Sequence, residues 1–206
     1  MRVGSGSVNT ISAECEQEYG VPYGADAVNA DMDYINSNEF AKKFNNITEN
    51  NAVNETLLQC ARNAIAHRNG TLYEDMYLVN GNTGEIMAQR LDMTAKQGIS
   101  HNDEIDNAIL TALKRNIPII AFHSHPEGYP PSVDDFNAAY DYGYTLGVVA
   151  GHNGQIYVYS NEIGILDNVD DIQANIAFAY EQGYDIDRAF CEVYDQFGLS
   201  YRIEKE

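Results

Sequence analysis

The sequence predicts an α/β protein in which a mixed sheet is flanked by helices and followed by a C-terminal helical extension. Segments with apolar residues every three to four positions alternate with short apolar runs through the middle of the chain. Two of these runs flank a Gly-Asn-Thr-Gly turn, and a third is rich in β-branched residues. We therefore predict three parts: a partly flexible N-terminal extension over 1–50, a mixed α/β core over 51–161, and the helical extension over 162–206.

The first elements are predicted from periodicity and turn residues. Residues 32–47, with scattered aromatic side chains, are expected to hold one helix. In Asn54–Arg68 apolar residues recur every four positions, and Asn69-Gly70 favours a left-handed helix stop. Asp75–Asn80 and Glu85–Leu91 flank the glycine-rich turn, which is typical of a β-hairpin.

The later elements follow the same two periodicities. Apolar residues every three to four positions, which would share one face of a helix, predict helices, and short continuous apolar runs predict strands. In order, they are a helix over Asn102–Asn116, a strand over Pro118–His123, a helix over Asp134–Tyr142, strands over Tyr144–Ala150 and Gln155–Ser160, and two C-terminal helices that end at Gly183 and Gly198.

Composition excludes several classes of function. The chain of 206 residues carries 31 acidic and 12 basic side chains, for a net charge of −19. Such a surface repels nucleic-acid phosphates and anionic lipid, so we expect neither as a partner. Three widely spaced cysteines indicate no disulfide framework, and no apolar run is long enough to cross a bilayer. The sequence predicts a cytoplasmic location.

The most informative segment runs from Ile119 to Asp135 and reads IIAFHSHPEGYPPSVDD. A strand places alternate side chains on one face, so His123 and His125 can converge while Ser124 points away. A carboxylate from the following helix would complete a set of three ligands. Two imidazoles, one carboxylate and an open fourth position are typical of a catalytic zinc site.

Part of this segment also has a purely structural interpretation. Ser132-x-x-Asp135 at a helix start is close to a capping box, in which the serine oxygen accepts from a backbone amide. The helix macrodipole also favours Asp134 and Asp135 in a first turn. A first-turn aspartate can cap the helix and still project a carboxylate towards a metal, so both interpretations of Asp135 remain open.

The pattern His-x-His-Pro followed by Ser-x-x-Asp resembles the JAMM motif of the JAB/MPN metalloprotease superfamily, which includes zinc isopeptidases. The resemblance covers about the middle half of the chain and implies an MPN/JAB-like core. It also implies that His123, His125 and Asp135 bind Zn²⁺ and that Ser132 helps to hold the oxyanion. A glutamate upstream would be the general acid/base, and Glu74 fits that position best.

One departure from the family's pattern and the choice of general base leave alternatives open. The gap between His125 and Asp135 is one residue shorter than is usual in the family, and a deletion outside the proline-rich loop would make Asp134 the rival ligand. Three other acidic residues compete with Glu74 for the general-base role, the third being disfavoured by its loop position: Asp75, Glu85 and Glu127.

The resemblance implies zinc-dependent hydrolysis of a peptide or isopeptide bond in a protein or peptide substrate, such as a ubiquitin-like protein or an attached polypeptide. Residues 33–44, ahead of the shortened motif loop, look like the lead-in of JAB-type domains in bacterial, phage and mobile-element proteins. Substrate selection is expected in the loop Leu91–Asp103 or in the C-terminal helices. The sequence is silent on oligomeric state.

Two other functions compete. A non-catalytic MPN-like assembly module would use the metal structurally or lack it, but the complete motif argues against that. A non-haem Fe(II) enzyme would also use two histidines and a carboxylate. Such sites usually lie in an all-β barrel, whereas this carboxylate opens a helix in a chain that alternates helices and strands. The three remaining histidines are expected to be structural or solvated: His67, His101 and His152.

Overall fold

A computed structural model describes residues 27–94 and 98–205. The elements, in chain order, are α1 (Met32–Ile35), α2 (Asn38–Lys42), α3 (Asn51–Arg68), β1 (Met76–Asn80), β2 (Ile86–Arg90), α4 (Asp103–Lys114), β3 (Ile119–His125), α5 (Val133–Asp141), β4 (Leu146–Gly151), β5 (Ile156–Tyr159), α6 (Val169–Glu181), α7 (Ile186–Phe197) and β6 (Tyr201–Ile203).

The six strands form one mixed sheet in the order β2-β1-β3-β4-β5-β6. Neighbouring strands are antiparallel except β3 and β4, which run parallel and are joined by α5. The carboxyl end of β3 therefore leads through a loop into the start of α5 on one side of the sheet. The predicted fold class, an α/β protein with a mixed sheet flanked by helices, is confirmed.

Each face of the sheet is covered by its own layer of helices. One apolar cluster joins the strands to α4, α5, α6 and α7 and includes Met76, Ala121 and Phe136. The other joins them to α1, α2 and α3 and includes Tyr77 and Phe122. Successive residues of a strand point to opposite faces, so the odd-numbered positions of β3 share the α4–α7 side. That parity decides which side holds the histidines.

The structure differs from the sequence prediction in several places. The strand β3 continues to His125, two residues past its predicted end, and β4 begins at Leu146 rather than at Tyr144. The single helix expected within 32–47 is wrong: there are two short helices, because the Ser37 side chain accepts from the Phe40 amide and starts a new helix. The helix α3 begins at Asn51, three residues earlier than predicted, where the Asn50 side chain caps it. The strand β6, which pairs with β5 along the sheet edge, was not predicted from the sequence. The flexible character expected for residues 1–26 lies outside the described residues.

The C-terminal helices are part of the same packed layer. Phe190 and Tyr194 of α7 are fully buried in the cluster that also holds Phe136 of α5. The Tyr194 hydroxyl donates to the Pro131 carbonyl oxygen at 2.8 Å, immediately before α5. In the described part of the chain, no helix combines the length and apolar character needed to cross a bilayer.

Candidate metal centre

Strand register places Glu74 beside the histidine pair. Met76 of β1 is the antiparallel partner of His123, and the Ser124 amide donates to the Asp75 carbonyl oxygen at 3.1 Å. The same register sets Glu74 opposite His125. Directly opposed residues of an antiparallel pair share a face, so Glu74 joins both imidazoles on the α4–α7 side.

The two imidazoles and the Asp135 carboxylate lie close together. The Nε2 atoms of His123 and His125 are 3.0 Å apart. Asp135 Oδ1 lies 3.1 Å from Nε2 of His123, and Oδ2 lies 3.5 Å from Nε2 of His125. Ligands about 2.0–2.1 Å from a tetrahedral zinc ion are separated by roughly 3.3 Å, so these three groups have the spacing of a zinc ligand set.

Glu74 also comes within reach of the same point. One carboxylate oxygen of Glu74 and one nitrogen from each of His123 and His125 all lie within 4.8 Å of one another, and all three residues are buried. Two carboxylates therefore face one pair of imidazoles. In such an arrangement one carboxylate can coordinate an ion while the other accepts and donates a proton.

Asp135 is held in place by the first turn of α5. Its amide donates to Ser132 Oγ at 3.1 Å, and its Oδ2 accepts from the Ser132 amide at 2.7 Å, which completes a capping box. Ser132 Oγ is also 2.8 Å from the same Oδ2, so the serine hydroxyl hydrogen points to Asp135. The capping arrangement orients the Asp135 carboxylate towards His123 and His125. The oxyanion role of Ser132 stays a prediction.

The loop after β3 fixes the tautomer of His125. Its Nδ1 lies 2.9 Å from the Tyr129 carbonyl oxygen, which can only accept, so Nδ1 carries hydrogen and Nε2 faces Asp135. Gly128 turns the loop with φ +80° and accepts from Asn153 Nδ2 at 3.0 Å and from the Tyr157 hydroxyl at 3.1 Å. Glycine suits that backbone conformation at little steric cost.

The pKa values of the Glu74 and Asp135 carboxylates are shifted in opposite directions. Burial alone would raise the pKa of Asp135, but the imidazoles of His123 and His125 hold it well below its ordinary value. Burial raises the pKa of Glu74, and the same imidazoles offset only part of that shift. Opposite pKa shifts of this kind are typical of sites in which one carboxylate stays ionised and the other carries a proton.

The charges of the two carboxylates also shift the pKa of His125. Burial alone would lower the pKa of His125, but the Asp135 hydrogen bond and the charges of Glu74 and Asp135 raise it to about 9. In the metal-free protein a proton is therefore held among these groups. A metal ion must displace that proton to bind.

The rival carboxylates lie elsewhere or at the margin. Asp75 points to the α3 side, where it contacts Arg68 Nε at 2.5 Å and His67 Nδ1 at 2.7 Å. Glu85 is exposed in the hairpin turn, and Asp134 is exposed at the start of α5. Asp134 and Glu127 line the cavity beside the histidines. Glu127 is partly buried, and the two Nε2 contacts come from Asp135.

The cluster opens onto a cavity of about 580 Å³. Besides the candidate ligands and the acidic residues, its walls include apolar, aromatic and polar side chains from five elements and from the loops before α4, before α5 and before β4: Met76, Met93, Ile99, Ser100, His101, Ala121, Tyr129, Ala138, Tyr144, Tyr159 and Gln173. The sequence pattern does not predict His101, Tyr144 and Tyr159 as cavity residues. No local motif marks them, because the sheet order and the loop path bring them together.

The other histidines have different surroundings. Nδ1 of His67 contacts the buried Asp75 on the opposite face of the sheet. His101 bridges Asp106 and the Tyr144 hydroxyl at the cavity wall. His152 is 1% exposed, and burial lowers its pKa to about 4, which keeps it neutral. The expectation of a structural role suits His67 and His152, whereas His101 belongs to the cavity.

Comparison with protein-family models, curated proteins and solved structures gives no match. The resemblance to the JAB/MPN superfamily therefore depends on the motif residues of this chain and their geometry. In this geometry His123, His125 and Asp135 could hold a metal ion through two imidazoles and one carboxylate, with the Glu74 carboxylate beside them.

Proposed function

We propose that this chain is a zinc-dependent hydrolase of peptide or isopeptide bonds. The observation that carries the proposal is the meeting of His123, His125 and Asp135, with ligand-atom separations of 3.0–3.5 Å, at a cavity that Glu74 also lines. The same residue types in the same order hold zinc and move the proton in the superfamily that the motif resembles.

The donor set suits zinc. Nitrogen and oxygen ligands at tetrahedral spacing, with one side open to a cavity, are the usual composition of a catalytic zinc site. A bound zinc ion would lower the pKa of a coordinated water towards about 7 and polarise the substrate carbonyl. His123, His125 and Asp135 would hold the ion, and the capping box of α5 would fix the carboxylate direction.

Glu74 would move the proton. Its buried position raises its pKa above the ordinary value for glutamate, so the carboxylate is a better base than an exposed glutamate. Its place opposite His125 keeps it beside the ligands and on the cavity side. It would accept the proton of the attacking water and return it to the leaving amine.

The first experiment is metal analysis followed by incubation with peptide-linked and isopeptide-linked reporter substrates, with and without a chelator. We expect one zinc ion per chain and cleavage that stops with the chelator and returns with zinc. Cleavage that persists in chelator would contradict the metalloprotease proposal. Zinc binding without cleavage would favour the non-catalytic binding module, and iron in place of zinc would favour the Fe(II) enzyme.

The second experiment replaces the proposed base. Glu74→Gln keeps the shape of the side chain but removes its basicity, so the cleavage rate should fall by about 10²–10⁴-fold while zinc remains bound. Glu85→Gln is the matched control, because Glu85 is exposed in the hairpin turn and outside the cavity. Equal rates for wild type and Glu74→Gln would show that another group is the base.

A further inference from the structure

Two tyrosines line the cavity beside the candidate ligands, and their hydroxyl groups are used differently. The Tyr144 hydroxyl lies 3.0 Å from Nε2 of His101, whose Nδ1 lies 3.2 Å from Asp106. Those contacts commit Tyr144 to its neighbours. The Tyr159 hydroxyl has no hydrogen-bond partner within residues 27–94 and 98–205, yet its oxygen is not sealed off by protein. It therefore faces the cavity that Tyr159 lines.

A missing side chain on β4 lets Tyr159 reach across the sheet. Tyr159 of β5 pairs with Gly147 of β4, and a Cβ at position 147 would collide with Tyr159 Cζ. Cζ carries the hydroxyl, so the far end of the ring lies over β4 and the hydroxyl extends away from β5. Gly147 pairs in turn with Ala121 of β3, on the same face as His123. The hydroxyl thus extends towards the strand that carries the histidines.

The surroundings of Tyr159 keep its ring fixed and its hydroxyl protonated. Phe136 packs edge-on against the ring at a centroid distance of 5.0 Å. Burial, together with the negative charges of Asp135 and Glu74, raises the pKa of Tyr159 well above its ordinary value. A neutral phenol is a hydrogen-bond donor at every pH at which the protein would work.

The residue expected to hold the oxyanion is already engaged. The hydroxyl hydrogen of Ser132 points to Asp135 Oδ2 at 2.8 Å, while its oxygen accepts from the Asp135 amide. Turning the Ser132 hydroxyl towards a substrate would remove a hydrogen bond from the candidate metal ligand. Beside the zinc ion proposed above, a hydroxyl other than that of Ser132 could therefore donate to the charge that develops on a carbonyl oxygen.

We propose that Tyr159 is that donor: its hydroxyl would hydrogen-bond to the oxyanion that forms when the substrate carbonyl is attacked. This inference rests on the hydrolase function proposed above. Donors placed in advance for a developing oxyanion are often the largest single contribution to catalysis of acyl transfer. Tyr159 would act by contact with the reacting group, and Gly147 would act through it, as a positioning residue.

The test uses Tyr159→Phe, which keeps the ring over Gly147 and removes only the hydroxyl. With zinc-loaded protein, the dissociation constant of a glycyl-glycine phosphinate, a tetrahedral anionic analogue of the reacting centre, is measured by calorimetry. We expect it to rise by about 10–100-fold in the variant, as for loss of a hydrogen bond to a charged group. Zinc affinity should be unchanged, and kcat on the reporter substrates should fall by about 10²–10³-fold with little change in KM.

Tyr201→Phe is the matched control, because it removes the hydroxyl of a tyrosine outside the cavity, which donates to the Asp187 carbonyl oxygen at 3.0 Å. Its phosphinate affinity should stay within about threefold of wild type. Equal phosphinate affinity in wild type and Tyr159→Phe, or no binding to wild type, would overturn the inference. If wild type cleaves no reporter but Tyr159→Phe still weakens phosphinate binding, the hydrolase proposal fails and the role of Tyr159 as an anion donor stands.

Discussion

Glu74 and Asp135 differ in what surrounds them, although both carboxylates face the same two imidazoles. Asp135 accepts two hydrogen bonds from Ser132 and faces His123 at 3.1 Å, so its ionised form is stabilised. Glu74 lies in the sheet side of the cavity, where burial disfavours the charge. At the residue scale, this difference supports Asp135 as ligand and Glu74 as base.

The assignment of the ligand is tested with neighbouring aspartates. Asp135→Asn should lower zinc affinity by more than the roughly 100-fold that loss of an outer partner of a ligand costs. Asp134→Asn removes a charge from the same helix turn but from an exposed position, so its zinc affinity should stay close to wild type. Competition with a chromophoric chelator measures both.

The reverse order of the two zinc affinities would identify Asp134 as the ligand. It would also place the one-residue deletion of the motif outside the proline-rich loop. Equal losses in the two variants would indicate that helix-terminal charge, rather than direct coordination, governs zinc binding.

At the element scale, the loop between β3 and α5 is fixed by groups from distant parts of the chain. Asn153, in the turn between β4 and β5, and Tyr157 of β5 both donate to the Gly128 carbonyl oxygen. Tyr194 of α7 donates to the Pro131 carbonyl oxygen. The C-terminal extension therefore helps to position the loop that connects His125 to the capping box at Ser132.

Asn153→Ala should loosen this loop without touching the ligands. We expect zinc affinity to fall by about 10-fold, within the range seen when a group that supports a ligand is lost. Asn63→Ala, on the exposed surface of α3, is the control and should leave zinc affinity unchanged. Unchanged affinity in Asn153→Ala, measured with the same chelator, would show that the loop is rigid without this hydrogen bond.

Sequence patterns predicted most elements because each has a local cause. The hairpin turn, the apolar strand before His123 and the cap at Ser132 all depend on neighbouring residues. The strand β6 was missed because its three residues are stabilised by pairing with β5, not by their own pattern. The convergence of His123 and His125 follows from strand parity, whereas Tyr159 reaches the cavity only because Gly147 lies on the adjacent strand.

At the scale of the whole molecule, the buried charge cluster couples folding to pH. The pKa of His125 is raised from 6.5 to about 9, so its contribution to stability is fully present below pH 6.5 and is lost as the pH rises through about 9. Burial also raises the pKa of Glu74, so ionisation of Glu74 likewise lowers the stability of the folded state as the pH rises. The stabilising effect of Asp135 is lost only in acid, as the pH falls below its ordinary pKa of 3.8.

The metal-free protein should therefore lose stability between pH 6.5 and 9. The shift in the pKa of His125 corresponds to a loss on the order of 3 kcal/mol in the free energy of unfolding. Urea unfolding of chelator-treated protein at pH 6.5 and pH 9 measures it, and His125→Gln should remove much of the slope. A stability that rises over this interval would contradict the arrangement of charges described above.

Zinc should reverse this trend, because a metal ion replaces the proton that the cluster holds. Zinc affinity should rise with pH up to about pH 9, where His125 becomes neutral without the metal. A bound ion also stabilises the folded state in proportion to the logarithm of its concentration over its dissociation constant. A zinc affinity that is independent of pH between 6.5 and 9 would mean that the ion binds elsewhere.

X-ray absorption at the zinc edge, on protein loaded with one equivalent of zinc, tests the proposed centre most directly. We expect a first shell of nitrogen and oxygen at about 2.0–2.1 Å with two imidazole contributions, and loss of one of them in His123→Ala or His125→Ala. A first shell with sulfur, or one that keeps both imidazoles in these variants, would contradict it.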